Sequence, residues 1–192
     1  MNIFMLHEDP EENVKLHCDK HVVKMILEYA QMLSTAHRML DGTQYIDDSS
    51  GRRIKRWRMD HDEEVLYKAS HINHPCTIWA RDNCANYGYL YILFCSLCSE
   101  YTYRYGKVHL TWRKLGNVLA TPPKNIAHAS WINLPSMPQC MPEEYKDINV
   151  ISAYRRFYRN DKIDFAKYTR RDTPNWMVNN ADSESKNTIG AG

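Results

Sequence analysis

The stretch NVKLHCDKHVVKMILEYAQMLSTAHRM, residues 13–39, constrains the fold more than any other. It reads as one long amphipathic helix. On a wheel turning ~100° per residue from His17, the side chains of His21, Lys24, Glu28, Gln31 and Thr35 fall within roughly 40° of the start. Lys20 and Arg38 sit at the margin of that stripe. Val22, Val23, Ile26, Leu27, Ala30 and Leu33 lie opposite and are expected to bury against the rest of the domain. The polar stripe holds one acid, Glu28, among imidazoles, amines and an amide. On pattern alone the stripe reads first as a solvated face, but such a face usually repeats Glu and Lys, and this one has a single acid among bases.

A chain of 192 residues is long enough for a core of its own. It reads as a single helical domain over 1–179, with the small, polar residues 180–192 a flexible C-terminal tail. No apolar run reaches the ~20 residues that span a bilayer, and no basic segment followed by an apolar one opens the chain. A cytoplasmic location is the default expectation. Cys18, Cys76, Cys84, Cys95, Cys98 and Cys140 are then expected as reduced thiols. Cys95 and Cys98 form a C-x-x-C, but it lies in an apolar helical run without a second pair and reads as buried thiols.

The net charge is only +2, yet the charges are segregated. Acids gather at Glu8, Asp9, Glu11 and Glu12, and again at Asp60, Asp62, Glu63 and Glu64. Bases gather at Arg52, Arg53, Lys55, Arg56 and Arg58, and at Arg155, Arg156, Arg159, Lys162, Lys167, Arg170 and Arg171. A local basic patch binds a phosphate backbone even on a nearly neutral protein. Within RRIKRWRM, Trp57 adds an aromatic able to stack or wedge. A solvated loop anchored by one Trp is the alternative.

Along the chain, the apolar residues 2–6 suit an N-terminal segment tucked into the fold. Pro10 and its flanking acids open the first helix. Residues 41–51 read as a loop and 61–70 as a short helix. Asn73 or His74 caps the next helix, with Pro75 in its first position. The apolar and aromatic run from Thr77 to Tyr105 is expected as the central buried helix, stopped by Gly106. Five prolines, at 122, 123, 135, 138 and 142, make 121–142 an extended loop. Helical spacing returns over 143–159. The fold class is therefore mainly α: a compact single domain with a long N-terminal helix, a long central helix and an extended Pro-rich loop.

Three pieces together resemble the pyrimidine-dimer DNA glycosylase family, of the endonuclease V type found in phages and bacteria. The first is Cys18-Asp19-Lys20-His21, followed by Glu28 and Gln31. The second is Asn73-His74-Pro75, opening a helix that ends in Tyr103-Arg104-Tyr105-Gly106. The third is Thr173-Pro174-Asn175-Trp176. The likeness covers residues 1–110, and the Asn-His-Pro tripeptide is its most specific part. It implies a helical fold that binds duplex DNA and flips a base out. It further implies that the α-amine of the mature N-terminus attacks the sugar C1′ to form a Schiff base. A glutamate on the first long helix assists, and elimination cleaves the strand; Glu28 is the matching position. An α-amine, with a reference pKa of ~8 against ~10.4 for lysine, is the better ready-made nucleophile.

Here Asn2 follows Met1, a poor context for removing the initiator methionine. Met1, Asn2 and, one turn from Glu28, Lys24 are therefore the catalytic candidates beside that carboxylate. Lys24 also reads as a surface lysine paired i,i+4 with Glu28. Double-stranded DNA is the expected partner of a monomer. Its contacts are expected from His17, Lys20, His21, Gln31, Arg52, Arg53, Arg56, Trp57, His74, Arg155, Arg156 and Trp176. No cofactor and no metal are expected. Three other readings stay open: a base-modifying phage enzyme on the same scaffold, a non-catalytic DNA-binding protein, and a helical zinc half-site from His17 and His21, completed by His71 or His74.

Overall fold

The computed structural model describes residues 1–130 and 137–178. The tail expected over 180–192, and Pro135 of the Pro-rich loop, lie outside the described residues. Among those described, the chain is mainly α, with six helices and one two-stranded sheet. No helix among them is long and apolar enough to cross a membrane.

The helix expected over 13–39 is two helices, α1 (Pro10–Lys15) and α2 (Asp19–Asp41). Asp9 caps α1 by accepting from the amides of Glu11 and Glu12, and Pro10 fills its first turn. The chain then tightens, with the Leu16 and His17 amides bonding back to Asn13 and Val14. Cys18 adopts an extended backbone, and its amide donates to the Tyr158 hydroxyl at 2.9 Å. A partner 140 residues away thus takes the amide out of the helical ladder.

Val22, Ile26, Ala30 and Leu33 are enclosed as the wheel requires, but Val23 and Leu27 are 43% and 39% exposed. On the polar stripe, His21, Glu28 and Thr35 are buried. The cause is that α2 is covered on several sides. It packs against α3 (Pro75–Asp82), α4 (Cys84–Tyr105) and α5 (Leu110–Leu115), while the N-terminal segment crosses its polar face. Tyr29, Leu33, Leu90 and Phe94 lie fully buried in the α2–α4 core.

Residues 43–58 form a hairpin in place of the expected loop over 41–51 and basic run. β1 (Thr43–Asp47) pairs antiparallel with β2 (Ile54–Arg58), Thr43 opposite Arg58 and Asp47 opposite Ile54. Arg38, buried at the end of α2, holds this hairpin to the domain. Its guanidinium donates to the carbonyls of Trp57, Glu63, Leu66 and Tyr67 and to the Glu63 carboxylate, all within 2.8 Å. With those carbonyls turned toward Arg38, residues 61–70 make a turn at Asp62 (φ 60°) and not the expected helix.

The run expected as one central helix also divides. Asn83 has an extended backbone (φ −155°, ψ 166°), and its side chain caps α4 through the Asn86 amide. Pro75 opens α3 with His74 as its cap, and Gly106 stops α4 in the left-handed conformation (φ 64°). The helix expected over 143–159 is a single 3₁₀ turn at Glu143–Tyr145 followed by α6 (Val150–Lys162). A 3₁₀ turn at Val118–Ala120 precedes the Pro-rich stretch 121–142, whose described part carries no regular element.

A buried arginine locks the base of the fold. Arg104 donates to Glu100 (2.7 Å), Asp19 (2.9 Å) and the Lys15 carbonyl (2.9 Å). Arg171 grips both oxygens of Glu100, and Thr169 donates to Asp19. This network joins α1, α2, α4 and the C-terminal stretch. Its charges tolerate burial because each is paired and hydrogen-bonded.

Candidate active site

The site is built by residues 1–7, a segment outside any helix or strand, with no ladder to satisfy its backbone. Asn13, wholly enclosed, does that work. Its Oδ1 accepts from the Leu6 and His7 amides, and its Nδ2 donates to the Phe4 carbonyl. Ile3 and Leu6 are fully buried, and Phe4 stacks on His21 with ring centroids 4.5 Å apart. The segment is therefore fixed, and its start is pressed onto the middle of α2.

There Glu28 receives it. Oε2 of Glu28 accepts from the Asn2 amide at 3.2 Å and lies 3.8 Å from the α-nitrogen of Met1. Oε1 pairs with Lys24 Nζ at 3.1 Å. Glu28 is 8% exposed, while the Lys24 side chain is 67% exposed and reaches in from solvent. A nearly buried carboxylate is thus compensated by two ammonium groups and an amide.

Asn2 is clamped from three sides. Its Oδ1 accepts from the Ile3 amide at 2.9 Å and lies 2.7 Å from the Tyr154 hydroxyl, while its Nδ2 donates to the Cys140 carbonyl at 2.9 Å. Tyr154 comes from α6, and Cys140 from the Pro-rich stretch. Beside them stands His74, whose Nδ1 accepts from the Cys76 amide at 3.2 Å. Burial holds the His74 imidazole below its ordinary range, and the positive N-terminus and His71 push the same way, against Glu28. The Cys76 and Cys140 sulfurs lie 3.4 Å apart. The hydrogen bond from Cys76 draws the Cys140 thiol below its ordinary range, against the opposing effect of burial, while that same bond and burial push Cys76 up.

Of the residues expected to act, Met1, Asn2, Lys24, Glu28 and His74 come together. His17 and His21 do not join them. His17 is fully enclosed, with Nδ1 2.9 Å from the Asn13 carbonyl, and burial holds it at about 4. His21 meets the Tyr158 hydroxyl at 2.7 Å and is held at about 3, again chiefly by burial. Rings so enclosed have no face to offer a phosphate. Nor do they form the zinc half-site: among the described residues, the cluster of three potential metal ligands is His74, Cys76 and Cys140. Trp57 is buried against the domain and is an anchor, not a free wedge.

The remaining expected contacts are at the surface. Arg52 and Arg53 are exposed at the hairpin turn, and Arg56 pairs with Asp47 at 3.5 Å. Lys20 is exposed, with its ammonium 4.6 Å from the Phe165 ring, and Gln31 is half-buried. Arg155, Arg156, Arg159, Ser152 and Trp176 line a groove on α6. Arg155 also donates to the Leu6 carbonyl at 2.9 Å, so α6 serves the N-terminal segment with both Tyr154 and Arg155.

Sequence reading missed Asn13, Tyr154, Cys76 and Cys140. Cys76 adjoins the Asn-His-Pro tripeptide and could have been noticed; the other three carry no signal in spacing. The model of one protein family, described as pyrimidine dimer DNA glycosylase, matches residues 1–114. No curated protein and no solved structure gives a match. The matched span includes Met1, Asn2, Lys24, Glu28 and His74, and ends before Cys140 and α6.

Proposed function

The chain belongs to the pyrimidine dimer DNA glycosylase family, and from that premise we propose that it excises a damaged or modified pyrimidine from duplex DNA and then cleaves the strand. The nucleophile is the α-amino terminus, and Glu28 is the assisting carboxylate. One observation carries this reading: a carboxylate in the middle of α2 meets the start of the chain, at 3.2 Å from the Asn2 nitrogen and 3.8 Å from that of Met1.

In this scheme the unprotonated amine attacks C1′ of an extruded nucleotide. The C1′–N bond to the base breaks, and the base leaves with a proton. The sugar ring opens to a Schiff base between C1′ and the amine. Loss of a C2′ proton then expels the 3′-phosphate, and hydrolysis frees the enzyme. In this reading Glu28 takes the amine proton and returns protons during ring opening, which is general acid–base work. In the chain as written the free amine belongs to Met1. If Met1 is removed, the nitrogen that donates to Glu28 becomes the terminus. The exposed Arg52 and Arg53 and the α6 arginines supply the phosphate contacts. The enzyme acts as a cytoplasmic monomer.

Borohydride trapping on irradiated, abasic and base-modified duplexes tests this. The expected result is a covalent protein–DNA adduct, mapped by mass spectrometry to residue 1 or 2. No adduct on any duplex of the panel overturns the amine chemistry. An adduct confined to Lys24 overturns the choice of nucleophile. Duplex binding that persists without any chemistry on the panel points instead to the non-catalytic reading.

A further inference from the structure

We propose that His74, Cys76 and Cys140 bind a soft divalent cation, with zinc as the reference ion. The nearest ligand atoms of the three residues all lie within 4.8 Å of one another. The two sulfurs are 3.4 Å apart. With Zn–S bonds of ~2.3 Å, a tetrahedral ion holds two thiolates about 3.8 Å apart, so the sulfurs need move only by tenths of an ångström. Two thiolates with an imidazole form a ligand set that favours zinc over the hard ions magnesium and calcium.

The three ligands arrive from separate parts of the chain and are fixed independently. His74 and Cys76 flank Pro75 at the first turn of α3, where the proline ring and the cap set the backbone. Cys140 comes 64 residues later, its carbonyl held by the Asn2 side chain and its amide 3.4 Å from the Tyr154 hydroxyl. Cys76 is fully buried, while His74 and Cys140 are half-exposed and open a path for the ion. Loading releases two protons, one from each thiol, and forms two metal–sulfur bonds. The imidazole lone pair that now accepts the Cys76 amide turns to the metal, exchanging one long cap bond of 3.2 Å.

A dithiol poised only for oxidation accounts for the two sulfurs but not for an imidazole nitrogen within 4.8 Å of both. The ion would tie the Pro-rich stretch to α3 beside Asn2, and so secure the segment that carries the amine. The site stands on side-chain geometry alone and does not depend on the glycosylase reading.

Elemental analysis of the full chain, purified without chelator and under reductant, is expected to show about one zinc per chain. Cobalt added to the apoprotein is expected to give thiolate charge-transfer absorption and the visible bands of a tetrahedral site. Cys76→Ser and Cys140→Ser should each abolish both signals, and His74→Ala should weaken binding by at least about tenfold. Circular dichroism checks that each variant is folded; Cys140→Ser, on a half-exposed loop residue, keeps the test open if the buried Cys76 variant misfolds. A folded wild-type chain with neither zinc nor cobalt absorption overturns the site. Cobalt binding unchanged in Cys140→Ser or His74→Ala overturns the ligand assignment.

Discussion

The main-chain nitrogen of Asn2 donates to Oε2 of Glu28 across 26 residues of sequence. That bond sets the start of the chain against the one acid of the α2 polar stripe, and it makes Glu28 the residue to test first. Glu28→Gln keeps the shape and removes the base. The single-turnover rate of strand cleavage is expected to fall by about 10²–10⁴, the usual size of a general acid–base contribution. Duplex affinity, measured by gel shift, should stay within a few-fold of wild type. Cleavage at the wild-type rate removes Glu28 from the chemistry.

Lys24 shares the carboxylate but works from solvent, its side chain two-thirds exposed. Lys24→Met should change unfolding free energy by no more than about 0.5 kcal/mol, as for other exposed pairs. Borohydride trapping should persist. Loss of trapping with binding intact identifies Lys24 as the nucleophile.

Tyr154 positions Asn2 from behind, its hydroxyl 2.7 Å from Oδ1. Tyr154→Phe should cost about 1 kcal/mol of stability. It should also slow cleavage several-fold by loosening the segment that carries the amine. Denaturant melts and single-turnover rates measured on the same preparation check both parts.

Arg104 is the largest structural liability. Its guanidinium serves Glu100, Asp19 and the Lys15 carbonyl with its side chain fully enclosed. Arg104→Ala leaves the buried Glu100 with Arg171 as its one cation, strips Asp19 of its guanidinium and should cost about 3–5 kcal/mol. At roughly 2–4 °C per kcal/mol for a chain of this size, the melting temperature should fall by about 6–20 °C. A fall of less than about 3 °C shows that the network is dispensable.

The enclosed histidines set the acid limit. His17 and His21 titrate at about 4 and about 3 in the folded protein, against an ordinary value of 6.5. Below pH 6.5 the unfolded chain takes up protons that the folded one refuses, so stability falls as pH drops from about 6.5 to about 4. For His17 alone the loss is on the order of 3 kcal/mol. Urea melts at pH 7 and pH 4.5 should show the decline, and His17→Gln should make it shallower. Equal stability at both pH values contradicts it.

Local signals in the sequence were sufficient for some of this architecture. The His74 cap, Pro75 and the Gly106 stop depend only on neighbouring residues, and each lies where the sequence puts it. Glu28 stood out as a lone acid among bases. What periodicity could not report is what covers a face. The stripe through His21, Glu28 and Thr35 looks solvated on a wheel but is buried, because the first residues of the chain lie across His21 and Glu28, and Ser70 lies against Thr35. The break at Cys18 depends on Tyr158, and the hairpin on the carbonyls that surround Arg38. Cys140 and Tyr154 reach Asn2 from more than 130 residues away, with no motif of their own.

Helix α2 runs unbroken from Asp19 to Asp41, with Glu28 near its middle and Arg38 gripping the hairpin near its end. At ~1.5 Å per residue, Asp41 lies about 20 Å along the axis from Glu28. The helix is thus a yardstick of fixed length between the carboxylate and the hairpin. Inserting one residue between Leu33 and Arg38 would swing that grip by ~100°, so the placing of the hairpin relative to the carboxylate is written into the length of one helix.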